Sequence, residues 1–215
     1  MMYMKATGLI RSGLLSLLVA GSASLAFGSA AFALSVDFTD GSWDAAHGTT
    51  SYAVHPSGVD LSATGGLITV NYVGGPSGDD SGNDGLGIGD DEITQGGREQ
   101  LTVAFASAVT LERVYITDLF QNEGGTGLHE RGEYSLNGGA FTSFVSVGGV
   151  NGALTLNIFQ PGVTTIAFRS VTDSWSDFSV KKLTYATPEP SPLLFLGASL
   201  ILFWTLFRRQ RVSSH

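Results

Sequence analysis

Residues 100–118 read QLTVAFASAVTLERVYITD, and the fold is decided there. Leu101, Val103 and Phe105 alternate with polar or small residues, a period of two that belongs to a half-buried strand. From Val109 to Asp118 the alternation places Val114 and Ile116 on one face, with Leu111, Arg113 and Tyr115 on the other. The same pattern recurs in Leu154, Leu156 and Ile158, in Thr164, Ile166 and Phe168, and in Phe178 and Val180. Strands are predicted near 35–39, 51–55, 59–62, 67–73, 100–106, 109–118, 132–136, 140–147, 153–159, 163–170 and 175–185. Most are separated by Gly, Asn, Asp or Pro turns. Asn137-Gly138-Gly139 predicts a hairpin, because glycine tolerates the positive φ a tight turn needs. Asn151-Gly152 and Gln160-Pro161-Gly162 are read as two more. No ten-residue stretch between the ends carries a helical stripe. Ten or so short strands in about 150 residues predict an all-β fold. The expected form is an antiparallel β-sandwich of two sheets, jelly-roll-like in strand number. No fixed internal period supports a β-helix. The phenylalanines and Trp175 are expected to fill the core.

Working outward, the two ends differ sharply from this middle. Residues 1–33 carry Lys5 and Arg11, an apolar run from Gly13 to Ala20, then small residues ending in Ala31-Phe32-Ala33. That order is a secretory signal peptide, with the mature start expected near Leu34 and a β domain over 34–185. At the other end, Pro192 to Phe207 holds 16 uncharged residues closed by Arg208, Arg209 and Arg211. As a helix the run spans roughly 24 Å against a hydrocarbon core of about 30 Å. Snorkelling arginines help a short span fit, so a C-terminal transmembrane helix at 192–207 is expected. Basic residues at both ends then place the middle outside an inner membrane.

Over 186–215 the order Pro188-Glu189-Pro190, Ser191, apolar run and terminal arginines resembles the PEP-CTERM sorting signal. The resemblance implies export by a Gram-negative bacterium that makes exopolysaccharide, and cleavage near Pro188, Glu189 and Pro190 by a membrane protease, exosortase. It makes Pro192 to Phe207 a transient anchor and implies general secretion machinery as a partner. A second likeness to exported PEP-CTERM proteins covers roughly 85–120, through Gly85-Leu86-Gly87, Asp91-Glu92 and Leu101-Thr102. Neither likeness names an activity for the domain delivered.

The chain has 215 residues, 29 glycines, no cysteine and a formal net charge of −8. Mean hydropathy is +0.19, an average over dissimilar parts. Residues 34–186 hold 6 basic and 18 acidic side chains, hence a net charge near −12, and 24 of the glycines. So acidic a body repels nucleic acid and attracts divalent cations. Without cysteine there is no disulfide scaffold, thiolate nucleophile or Cys-ligated metal.

Residues 74–99, GGPSGDDSGNDGLGIGDDEITQGGRE, form the longest stretch without periodicity. Hard oxygen donors on a flexible loop suit Ca²⁺, so Asp80, Asp84, Asp90 and Asp91 are candidate ligands of an irregular calcium loop. Asp80, Asp84, Gly85 and Asp91 match positions 1, 5, 6 and 12 of an EF-hand. Gly82 at position 3, Asp at position 12 and the lack of flanking helices rule that motif out. The alternative is a turn region whose acids face water.

His129-Glu130 with Glu133 lacks the H-x-H or H-E-x-x-H spacing of a metal site, so ordinary hydrogen bonds are expected to hold that histidine. There is no G-x-S-x-G elbow or P-loop. A glycosidase needs two carboxylates about 5–10 Å apart, and eighteen acids do not say which two. Trp43, beside Asp44, and Trp175, between Asp173 and Asp177, are candidate sugar-stacking residues, or else core. The expected function is therefore an exported, non-catalytic surface or extracellular-matrix protein associated with exopolysaccharide. The alternative is a secreted glycan hydrolase using a carboxylate pair. A groove burying two carboxylates favours the hydrolase, and exposed tryptophans favour binding.

Overall fold

Two long strands organise the sheet, and each comes from a stretch of alternating apolar residues, 100–117 and 154–170. The computed structural model describes residues 33–54, 58–77, 82–94, 98–121, 127, 129–147, 152–171 and 176–188. Among the described residues ten strands occur: β1 (Ala33–Asp37), β2 (Ser51–Val54), β3 (Val59–Thr64), β4 (Ile68–Asn71), β5 (Gly85–Ile88), β6 (Gln100–Thr117), β7 (Arg131–Leu136), β8 (Thr142–Val145), β9 (Leu154–Ser170) and β10 (Ser179–Ala186). A short 3-10 helix, Gly41–Ala46, follows β1 and is capped by the Asp40 carboxylate accepting from Ser42 N–H. Folded and compact, Ala31–Pro188 forms one unit.

All ten strands belong to one hydrogen-bonded sheet, ordered β4-β5-β10-β6-β9-β7-β8, with β1 on β10 and the β2–β3 hairpin on β6. This corrects the two-sheet, jelly-roll-like sandwich to a single bent sheet resembling half a barrel. The physical reason lies in β6 and β9. The first part of β6 pairs with β3 (Leu61↔Val103) and the last part with β10 (Leu183↔Val114), along the same edge. Between these parts the β6–β9 register slips from Ala104 to Arg113. Bulges of this kind bend and twist a strand, so two long strands serve both halves of the sheet.

Register slips also change which side chains turn inward. Leu111 pairs with Tyr185 while Arg113 pairs with Thr184, so Glu112 is the extra residue. Leu111 thereby joins Val114 and Ile116 in the core instead of opposing them. Gln160-Pro161-Gly162 is not a hairpin. It is a kink inside β9, with φ of 51° at Phe159 and 75° at Gly162. Asn137-Gly138 does form its turn between β7 and β8, with φ of 52° and 69°. Gly152 precedes β9, but β7 separates β8 from β9, so no hairpin forms there. β5 arises inside the stretch expected to be irregular.

One apolar cluster fills the bend. Phe38, Phe168 and Phe178 are fully buried, each contributing about 2–3 kcal/mol. Phe144 meets Phe178 edge-on with ring centroids 5.1 Å apart, within the range that favours such pairs. Gly132 makes room for both rings, since a Cβ there would lie 2.2 Å from Phe144.

No helix among the described residues is long and apolar enough to cross a membrane. The expectation of a C-terminal transmembrane helix, with the inner-membrane anchoring that followed from it, is corrected accordingly and is not carried further. The segment in question, 192–207, and Arg208, Arg209 and Arg211 lie outside the described residues, as do the leader up to Phe32, Glu189 and Pro190.

Candidate functional site

Glycine builds the site. Gly85 has φ of 105°, and a Cβ on it would lie 2.4 Å from the Val180 carbonyl oxygen, so only glycine brings β5 this close to β10. A Cβ on Gly87 would lie 2.2 Å from the Asp91 backbone, because the 89–92 turn folds back over β5. That turn is fixed at several points. Ile88 N–H donates to the Glu92 carbonyl (3.0 Å), Ile93 N–H to that of Phe178 (2.8 Å). Ser179 Oγ donates to the Asp91 carbonyl at 2.8 Å. Asp84 sits just before β5, where the buried Asn71 amide reaches its Oδ2 (3.3 Å) and Thr117 Oγ1 donates to its carbonyl (2.7 Å). Asp118 follows β6 with a left-handed φ of 56°.

Together these elements surround a pocket of about 620 Å³, within the size range of small-ligand sites. Its wall includes Asp84, Asp91, Glu92, Asp118, Lys181 and Phe120. Four carboxyl groups thus share one ammonium. Burial, then the charges of Asp177, Asp118 and Asp91, push the Glu92 carboxyl up to about 9. Burial, then the charge of Asp84, push Asp118 to about 7. Asp84 is raised as well, chiefly by burial, with Lys181 opposing. Asp118 Oδ2 is buried without a hydrogen-bond partner among the described residues.

At neutral pH the pocket therefore offers a protonated carboxyl hydrogen-bonded to Asp177, carboxylates that accept, an ammonium and an aromatic ring. That combination suits a ligand rich in hydroxyl groups. It also sets a proton-bearing Glu92 in the same pocket as an Asp118 that titrates near neutrality.

Of the four proposed calcium ligands, Asp84 and Asp91 line this pocket. Asp90 is exposed and its Oδ1 accepts from Glu92 N–H instead. Asp80 lies outside the described residues. Among the described residues no three or more His, Asp or Glu are grouped to hold a metal ion. Trp43 is 3% exposed, packed edge-on against Phe38 at 5.0 Å and Tyr52 at 6.2 Å, which takes its ring out of a sugar's reach. Trp175 lies outside the described residues. His129 is held by ordinary contacts, Nδ1 to the Ser146 carbonyl (3.2 Å) and Nε2 to Gln121 (3.0 Å). Glu133 pairs with Arg169 at 2.7 Å rather than with that histidine.

Sequence reasoning missed Glu92, Asp118 and Lys181 as members of one site. The available signal was the Gly85-x-Gly87 pair, which marks a backbone approached closely on both sides and so a folded-back acidic turn.

The fold and pocket define a class only: an all-β domain with an acid-lined cleft. No family model, curated protein or solved structure matches the chain.

Proposed function

We propose that this is an exported, non-catalytic protein of the cell surface or extracellular matrix that associates with exopolysaccharide through the acid-lined pocket. In this reading the general secretion machinery exports the chain. An exosortase-type protease then processes its tail at Pro188-Glu189-Pro190. The observation that carries the binding role is the pocket wall, where carboxylates that accept hydroxyls, the Lys181 ammonium and the Phe120 ring meet in about 620 Å³. Carboxylates accept sugar hydroxyls, and an aromatic ring can cover the apolar face of a sugar. Binding of neutral oligosaccharides by calorimetry tests it. Affinity should fall at least tenfold in Asp118→Asn combined with Phe120→Ala, and an unchanged affinity defeats the assignment. The tail is tested separately: co-expression with exosortase should remove the residues after the Pro-Glu-Pro motif.

A second reading, a glycan hydrolase, is favoured by the criterion of a groove that buries two carboxylates, and Trp43 is buried rather than exposed. Glu92 near 9 and Asp118 near 7 line a single pocket, and raised acids of this kind act as proton donors. Release of reducing ends from a polymer, abolished by Glu92→Gln, would establish it over the binding role.

A further inference from the structure

We propose that the open edge of β9 over Leu154–Gln160 is where two copies of this chain pair, strand to strand, about a two-fold axis. On one side β9 follows β6 along its length, with Ile116↔Leu154 and Arg113↔Asn157 in register. On the other side β7 covers only Ile166 to Ser170. The Asn137 side chain takes the next stretch, donating to the Gly162 carbonyl and accepting from Thr164 and Thr165 N–H. From Leu154 to Gln160 that second edge has no strand partner among the described residues.

Other edges are short or covered. β2, β4 and β8 are four residues each. The edge of β4 is closed by Ile68 N–H to the Thr49 carbonyl, Gly48 N–H to the Ile68 carbonyl and Val70 N–H to His47 Nδ1. β1 ends in Asp37. Natural sheets guard a free edge with charge, proline or shortness. Here no charged residue occurs from Ala153 to Phe168, in a body whose net charge is near −12. Proline comes only at Pro161, within the kink and outside Leu154–Gln160.

That absence of charge selects the occupant. Two copies of so acidic a chain repel each other almost everywhere, and an uncharged edge is where they meet without that cost. The edge is also complementary to itself. Antiparallel pairing about Leu156 sets Leu154 beside Ile158 of the partner subunit and Thr155 beside Asn157 of the partner subunit. Leu154, Leu156 and Ile158 pack against the core yet stay half-buried, and a second strand would cover them. Phe159, 59% exposed, closes the end of the contact. Such an isologous strand pair is small, so association is reversible.

The absence of native cysteine makes the test direct. In the full-length chain, Asn157→Cys should cross-link to a dimer with a short bismaleimide at least tenfold faster than Thr142→Cys on the exposed strand β8. Wild type should sediment as a concentration-dependent dimer, and Asn157→Lys, which places like charges across the axis, as a monomer with an unchanged melting midpoint. Equal cross-linking of the two cysteine variants, or a wild-type monomer at every concentration, overturns the proposal. So does an Asn157→Lys chain that still dimerises. If Asn157→Lys does not fold, the cross-linking comparison decides alone.

Discussion

Replacing Glu92 by glutamine should stabilise this protein at alkaline pH and leave it unchanged in acid. The Glu92 carboxyl rises from 4.5 to about 9 on folding, first because it is buried and then because Asp177, Asp118 and Asp91 surround it. A raised acid holds its proton in the folded state where the unfolded chain has lost it. Its contribution is therefore intact below about pH 4.5 and is lost progressively as pH climbs towards 9. At about 1.4 kcal/mol per unit of pKa the whole rise corresponds to ~6 kcal/mol. The carboxyl is only half-buried, and solvent screening leaves about 2 kcal/mol as the expected effect. Glutamine keeps the shape and donor of the protonated acid and cannot ionise. Thermal melts from pH 5 to pH 9 should show wild type losing stability as pH rises, with Asp118 adding to the loss between 3.8 and about 7. Glu92→Gln should match wild type at pH 5 and melt roughly 4–8 °C higher at pH 9. Parallel curves for the two proteins, or a glutamine variant weaker at every pH, would refute the electrostatic account of the pocket.

Other positions give contrasting outcomes. Gly87→Ala drives a methyl group into the Asp91 backbone, so chemical denaturation should show a loss of about 3 kcal/mol or more, with oligosaccharide binding lost as the turn lifts. Trp43→Ala empties a buried site and should cost about 3–5 kcal/mol by the same measurement, while binding at the pocket survives in the folded fraction. Breaking the exposed Arg169–Glu133 pair with Glu133→Gln should change the melting free energy by less than about 1 kcal/mol.

How much of this was legible depends on whether the information was local. The alternation of Leu101, Val103 and Phe105 announces a strand with one buried face, and that face is buried. Asn137-Gly138 announces its turn because the positive φ is a property of those two residues. The bulge at Glu112 depends on which strand lies alongside, so alternation alone put Leu111 on the wrong face. Pro161 and Gly162 looked like a turn because their local preferences suit one, yet pairing with β6 on both sides holds them in a kinked strand. β5 was hidden for another reason: its Leu86 and Ile88 are fully buried, and Gly85 and Gly87 beside them leave no polar face to alternate with. The pocket needed three distant segments brought together, from Asp84, Asp118 and Lys181, and no spacing along the chain records that.

The pairing of Ala33 with Ala186 at the outer end of the β1–β10 ladder has a mechanical consequence. The chain enters and leaves the folded unit side by side, on antiparallel neighbours whose hydrogen bonds run across the strands. Tension applied between those two points loads the ladder one rung at a time, from Ala33↔Ala186 towards Asp37↔Lys182, like a zipper. A domain pulled this way yields at low force, whereas one pulled from a single end and its far surface must shear many bonds together. Held by one terminus alone, it carries no load across this weak seam.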